Sequence, residues 1–128
     1  MRMIYKKSSL LFLIIMTFSI GVVVASTGKP LNKAELQKIL IGHTYPFSKG
    51  DGMYFSSADK AIISYQGKTE NVKWHATNDS KFCYTAVVFG GKEECIGLTR
   101  SSDGNYVHDY YGKYRTINAS KIKKGKSF

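Results

Sequence analysis

The chain has 128 residues, enough for one domain and one hydrophobic core and too few for a second domain. Its 19 Lys and Arg against 9 Asp and Glu give a formal net charge of +10 at pH 7, and the chain after residue 25, with 16 Lys and Arg and all 9 acidic residues, keeps +7. This charge predicts attraction to anionic partners such as lipopolysaccharide, cell-wall polymers, acidic glycans or DNA. After residue 25 the only arginines are Arg100 and Arg115, so we expect any such binding to be salt-sensitive and without sequence-specific recognition of nucleic acid. The alternative is that the lysines only keep the protein soluble.

The first 25 residues have the pattern of a secretory signal. Arg2, Lys6 and Lys7 precede an apolar run from Leu10 to Val24, and small side chains follow at Val23 to Ala25. A helix over this run would rise about 24 Å, against about 30 Å for the hydrocarbon core of a bilayer. We therefore predict a cleaved signal, an exported protein that is periplasmic or secreted, and no transmembrane segment after cleavage. The alternative is an uncleaved anchor.

One helix is predicted early in the mature chain. Asn32 and Glu35 have the spacing of a capping box, and Gly42 provides a stop. The helix should run from about Lys33 to Ile41. Its apolar stripe consists of Leu36, Ile39 and Leu40.

Short runs rich in β-branched and aromatic residues follow, separated by clusters of Gly, Asn, Asp and Ser. Because the connections are short, we predict a mainly β fold, an antiparallel up-and-down barrel or a sandwich, as a single β-rich domain over residues 26–120 with the helix near its N-terminus. The predicted strands are Met53 to Ser56, Ala61 to Tyr65, Asn71 to Ala76, Phe82 to Phe89, Glu94 to Arg100, Tyr106 to Tyr110 and Tyr114 to Asn118.

Two cysteines, Cys83 and Cys95, lie 12 residues apart and are expected to pair in an oxidising compartment. A turn centred on Phe89 to Gly91 would place them opposite each other on neighbouring strands. A turn centred between Gly90 and Gly91 would instead place Cys83 opposite Leu98, so the spacing permits the disulfide without proving it.

The C-terminal part of the chain is strongly basic, with no acidic residue after Asp109. We expect residues 121–128 to form a mobile basic tail. The candidate residues for contact with an anionic surface are Lys113, Arg115, Lys121, Lys123, Lys124 and Lys126.

No catalytic or metal-binding motif is present. His43, His75 and His108 occur without the spacing of a zinc site or a catalytic triad, and the pair Glu93 and Glu94 is explained by solvation beside a glycine turn. We predict a protein that is not an enzyme and has neither a catalytic residue, a metal nor a cofactor.

Aromatic side chains recur in almost every predicted strand, either to fill a core or to line a pocket. If they line a pocket, its occupant would be an apolar or ring-bearing molecule oriented by tyrosine hydroxyls. The candidate ligand-binding residues are Tyr54, Tyr65, Trp74, Tyr84, Tyr106 and Tyr110.

Several landmarks occur in a recognisable order: Leu40 to Thr44, Gly52 to Tyr54, Lys73-Trp74, Phe82 to Tyr84 and Glu93 to Cys95. In this order the chain resembles an uncharacterised family of small exported proteins of Gram-negative bacteria, a domain of unknown function. The resemblance implies a single periplasmic or secreted β-rich domain with a paired Cys83 and Cys95 and no assigned activity. The chain departs from the family pattern in its lysine-rich end and in lacking a glycine just before Trp74.

Two functions are favoured by these observations, and an enzyme acting on cell-wall material ranks third. The first is an exported, non-enzymatic, lipocalin-like small β-barrel that binds an apolar small molecule or an anionic component of the cell envelope. The alternative is an inhibitor or interaction protein acting on a cell-wall enzyme. If that enzyme is a basic lysozyme, the positive charge of this chain opposes the encounter.

The predicted signal and disulfide can be checked together by mass spectrometry. We expect protein recovered from the export compartment to begin near Ser26 and to carry two fewer hydrogens than the reduced chain. An intact mass that includes residues 1–25, or alkylation of both cysteines without prior reduction, would contradict these predictions.

Overall fold

The computed structural model of the chain describes residues 28–48 and 50–128. The predicted signal lies outside the described residues, and its cleavage stays a prediction. Within the described ranges, no helix is long and apolar enough to cross a membrane.

The described chain is a nine-stranded antiparallel sheet, curled into a half-barrel, with one short helix, α1 (Lys33–Leu40). Each strand from β2 to β8 pairs with the strand before it, and β9 returns to pair with β1, so that β8 and β9 form the two edges of the sheet. This confirms the mainly β, up-and-down expectation. The strands are β1 (His43–Pro46), β2 (Gly52–Phe55), β3 (Lys60–Tyr65), β4 (Lys68–Ala76), β5 (Lys81–Thr85), β6 (Glu93–Arg100), β7 (Tyr106–Tyr110), β8 (Lys113–Ile117) and β9 (Lys123–Lys124).

Helix α1 forms where the sequence predicts it. The Asn32 side chain accepts a hydrogen bond from the Glu35 backbone N–H at 2.8 Å, and the Glu35 side chain accepts one from the Asn32 N–H at 2.9 Å, which completes the capping box. Leu36 and Leu40 are fully buried, so the helix is held against the sheet by its apolar side.

The core lies on the concave face of the sheet, because alternate residues of each strand point to that face. Strand β4 shows the alternation clearly, with Val72, Trp74 and Ala76 buried between exposed neighbours. Trp74 is 3% exposed, packs edge-on against Phe55 at a ring-centroid distance of 4.5 Å, and donates its Nε1–H to the Ser57 carbonyl at 2.8 Å. Both the apolar surface and the polar edge of this tryptophan are therefore satisfied inside the protein.

The disulfide is confirmed. Cys83 on β5 is the direct register partner of Cys95 on β6, with their Cα atoms 4.0 Å apart. Both side chains point away from the concave face, because the flanking Phe82 and Tyr84 belong to the core.

Three features differ from the sequence-based expectations. Strand β1 was not expected, and neither was the two-residue strand β9. The predicted strand over Phe82 to Phe89 ends at Thr85 and is followed by a 3-10 turn over Val87–Phe89, because Gly90 and Gly91 both adopt positive φ and turn the chain.

The C-terminal segment is docked rather than mobile. Ile122 is buried, Lys124 and Lys123 pair with His43 and Thr44 of β1, and the Ser127 N–H donates to the Thr44 hydroxyl at 3.1 Å. The expectation of a free tail overlooked this apolar anchor, since one isoleucine among lysines gives little periodic signal.

Deletion of residues 121–128 should therefore destabilise the fold. Loss of the buried Ile122 side chain alone should lower the free energy of unfolding by about 1.5 to 3 kcal/mol, measured by urea denaturation. The matched control is the quadruple variant Lys121→Gln, Lys123→Gln, Lys124→Gln and Lys126→Gln, in which Ile122 and strand β9 remain and the change should stay within about 0.5 kcal/mol. Equal urea midpoints for the full and shortened chains would show that the segment contributes nothing.

Candidate functional site

A cavity of about 550 Å³ opens at one end of the half-barrel, where β1, β3, β5 and β7 end and β6 and β8 begin. We call it the mouth cavity. It is lined by Phe47, Ser48, Tyr65, Tyr84, Phe89, Glu94, Ile96, His108, Tyr110 and Arg115.

Phe89 connects the aromatic part of this lining. Its ring meets Tyr65 edge-on at a centroid distance of 4.9 Å, and it also contacts Tyr84 at 6.3 Å and Phe47 at 6.2 Å. Phe47 in turn stacks on Tyr84 at 6.3 Å. Rings from four separate segments thus form one apolar wall at the end of the core.

The 3-10 turn that carries Phe89 is held in place by a carboxylate. Glu70 on β4 accepts hydrogen bonds from the Val87 N–H at 2.7 Å and the Val88 N–H at 3.0 Å. The two valines themselves are exposed, Val87 to 80%. The turn is therefore positioned by its backbone, and of its three side chains it is Phe89 that lines the mouth cavity.

The polar groups of the lining are few, and most have partners within the protein. Glu94 accepts a hydrogen bond from the Tyr110 hydroxyl at 2.8 Å, and this bond raises the pKa of that hydroxyl. One terminal nitrogen of Arg115, Nη2, donates to the Phe47 carbonyl at 2.9 Å and to the Pro46 carbonyl at 3.3 Å. Arg115 thereby links strand β8 to the chain leaving β1 across the open side of the half-barrel.

His108 is a buried polar residue in the lining of the mouth cavity. Its Nδ1 shares a hydrogen bond of 2.5 Å with the hydroxyl of the fully buried Tyr45. Burial, with a smaller contribution from the nearby Arg115 charge, lowers the pKa of His108 to about 4, although Asp109 acts in the opposite direction. His108 is therefore neutral at pH 7, and the tyrosine stays protonated because burial raises its pKa.

The predicted ligand-binding residues divide into two sets. Tyr65, Tyr84 and Tyr110 line the mouth cavity. Tyr54 is half-buried on the other face of β2, Trp74 fills the core, and Tyr106 lies at the opposite end of β7, where the Arg100 guanidinium sits 4.9 Å from its ring centre.

Sequence reasoning did not select Phe47, Phe89, Glu94, Ile96 or His108. Strand alternation could have indicated three of them. Glu94 and Ile96 share one face of β6 with the buried Leu98, and His108 shares one face of β7 with the selected Tyr106 and Tyr110. Phe47 and Phe89 lie outside strands, and no periodic pattern marks them.

The predicted basic residues also separate in the structure. Arg115 belongs to the mouth cavity, and Lys113 is exposed at the start of β8. The remaining four surround the edge strand β9, and we refer to them as the lysine edge: Lys121, Lys123, Lys124 and Lys126. Lysines on an edge strand discourage pairing with another sheet, which gives this charge a structural role.

Potential metal ligands gather in one place within residues 28–48 and 50–128. One ligand atom each from Cys83, Glu93 and Cys95 lies within 4.8 Å of the others. Because the two sulfurs are joined in the disulfide, neither is available as a thiolate.

Comparisons of the chain with protein-family models, with curated proteins and with solved structures find no significant match.

The buried position of His108 predicts a pH-dependent stability. Its folded-state pKa of about 4 lies below the unfolded value of 6.5, so the unfolded chain binds more protons between these values. Above pH 6.5, His108 should therefore add no pH dependence to the free energy of unfolding. This free energy should decrease as the pH falls from 6.5 toward 4, with a slope of up to about 1.4 kcal/mol per pH unit.

The His108→Gln variant should lack this slope between pH 7 and 5, as measured by urea denaturation at each pH. The control is His75→Gln, at an exposed position on β4, which should keep the slope of the unmodified protein. Parallel stability curves for the unmodified protein and His108→Gln would contradict the assignment.

Proposed function

We propose that this protein is an exported, non-enzymatic binding protein that takes an apolar, ring-bearing small molecule into the mouth cavity. The observation that carries this proposal is a cavity of about 550 Å³ with five aromatic side chains in its lining. Small-molecule sites typically measure about 300 to 1,000 Å³ and combine apolar walls with a few polar groups that fix orientation.

The state of the polar groups favours binding over catalysis. Glu94 is bonded to Tyr110, and His108 is neutral and bonded to Tyr45. A general base or a nucleophile needs a free, suitably charged group directed at the substrate. These side chains instead serve to position walls of the cavity.

Export is part of the proposal because the Cys83–Cys95 disulfide is of the kind that persists in oxidising compartments. The resemblance to small exported Gram-negative proteins is likewise part of the proposal, and the same disulfide supports it. A second candidate function, attachment to anionic envelope polymers, is supported by the lysine edge. Its four side chains are all exposed, and among the described residues none lies within ion-pair distance of a carboxylate.

Binding can be tested with N-phenyl-1-naphthylamine, a neutral fluorescent probe whose emission rises in apolar surroundings. We expect saturable binding to the unmodified protein and about tenfold weaker binding to Phe89→Ala, because that ring joins three others of the wall.

The matched control is Tyr54→Ala, which removes an aromatic ring on the other face of the sheet and should leave probe affinity unchanged. The four-glutamine variant of the lysine edge should also bind the probe normally, because burial of apolar surface does not depend on the charges of these lysines. Absence of saturable binding, or an equal loss in Phe89→Ala and Tyr54→Ala, would contradict the proposal.

A further inference from the structure

We propose that the ligand of the mouth cavity carries a single carboxylate group, which pairs with the guanidinium of Arg115. This inference rests on the proposed function and specifies the chemistry of the molecule bound. Its basis is a positive charge in the cavity wall, Arg115, that has no carboxylate of the described chain within ion-pair distance.

Arg115 is the one cationic side chain in the lining of the mouth cavity. Among residues 28–48 and 50–128, the observed ion pair joins Lys81 and Asp79 on the outer surface. The hydrogen bonds of Arg115 in this part of the chain all go to backbone carbonyls. Arg115 is exposed to solvent at the edge of the mouth cavity, where an anion held against the aromatic wall can reach its guanidinium and accept a charge-assisted hydrogen bond.

The guanidinium is also held in place. Both hydrogen bonds to the carbonyls of Pro46 and Phe47 come from Nη2, and the donors on Nη1 and Nε are left for a ligand. Each of these N–H groups can donate a charge-assisted hydrogen bond to a carboxylate oxygen. Because the side chain is already anchored, little conformational freedom is lost when the anion binds.

The charges in the lining favour a ligand with one negative charge over a ligand with two. Arg115 supplies one positive charge, and Glu94 supplies one negative charge that Tyr110 stabilises. The neutral His108 adds none at pH 7. Because Arg115 is the one cation of the lining, the second negative charge of a phosphate dianion would have no partner and would be repelled by Glu94. A carboxylate attached to an apolar ring system would place its single charge beside the guanidinium and its rings against the aromatic wall.

The test compares two probes of the same shape, 2-naphthoate and 2-naphthamide, by isothermal titration calorimetry at neutral pH. We expect the unmodified protein to bind the carboxylate about tenfold more tightly than the amide. Added sodium chloride should reduce this preference by weakening naphthoate binding and leaving the amide affinity unchanged. This comparison uses the unmodified chain and does not depend on the folding of any variant.

Three substitutions assign the preference to the named groups. Arg115→Gln should bring the two affinities to within about twofold of each other. Arg115→Lys should retain part of the preference, because it keeps the charge but loses the guanidinium that is anchored to the Pro46 and Phe47 carbonyls. Glu94→Gln should strengthen binding of naphthoate and leave the amide unchanged. Arg100→Gln removes the other arginine of the described chain, at the far end of the half-barrel, and should have no effect.

The possible results separate the two proposals. Equal binding of both probes by the unmodified protein, or a preference that survives in Arg115→Gln, would overturn the inference and leave the proposed function standing. Binding of neither probe would contradict the proposed function and this inference with it.

Discussion

The hydrogen bond between the Tyr45 hydroxyl and the His108 ring joins strands β1 and β7, which lie six places apart in the sheet. Backbone pairing alone does not bring these strands together, because each strand of the sheet pairs only with its immediate neighbours. The contact is made inside the protein, where an unpaired hydroxyl or ring nitrogen would cost about 1 to 3 kcal/mol. Burial of the apolar concave face drives the curl of the sheet, and this pair adds a polar contact inside the core that favours the curled arrangement over a flatter one.

The same curl explains the unusual electrostatics at the open end. Arg115 crosses from β8 to the chain leaving β1, so a permanent positive charge lies near the histidine. A protonated His108 would face both desolvation and repulsion there, and the neutral ring is the stable form. The open side of the half-barrel is thus joined by one uncharged contact inside and one charged contact at the rim.

Most of the fold could be predicted from the sequence because its signals are local. The Asn32 and Glu35 capping box starts the helix, and alternation with glycine-rich turns marks seven of the nine strands. Strand β1 escaped because it has four residues and ends in proline, and β9 because it consists of two lysines. Strand β9 forms through pairing with the distant β1, which local patterns do not encode, whereas β1 also pairs with the neighbouring β2.

The candidate site was less accessible to such reasoning. Tyr65, Tyr84 and Tyr110 could be selected as aromatic residues in strands, but the same criterion selected Trp74 and Tyr106, which lie elsewhere. The curl of the sheet determines which strand ends meet at the mouth cavity. Arg115 was noticed for its charge alone, and its place among aromatic rings follows only from the three-dimensional arrangement.

The disulfide on the outer face has a consequence for the opposite face. Because Cys83 pairs with Cys95, the adjacent Tyr84 and Glu94 are also direct partners, and both line the mouth cavity. A shift of one residue between β5 and β6 would turn every side chain of one strand to the other face. A variant of this chain that loses the cysteines keeps this alignment through the backbone pairing of β5 and β6 alone, and a slip between these strands would change the lining of the mouth cavity without any substitution inside it.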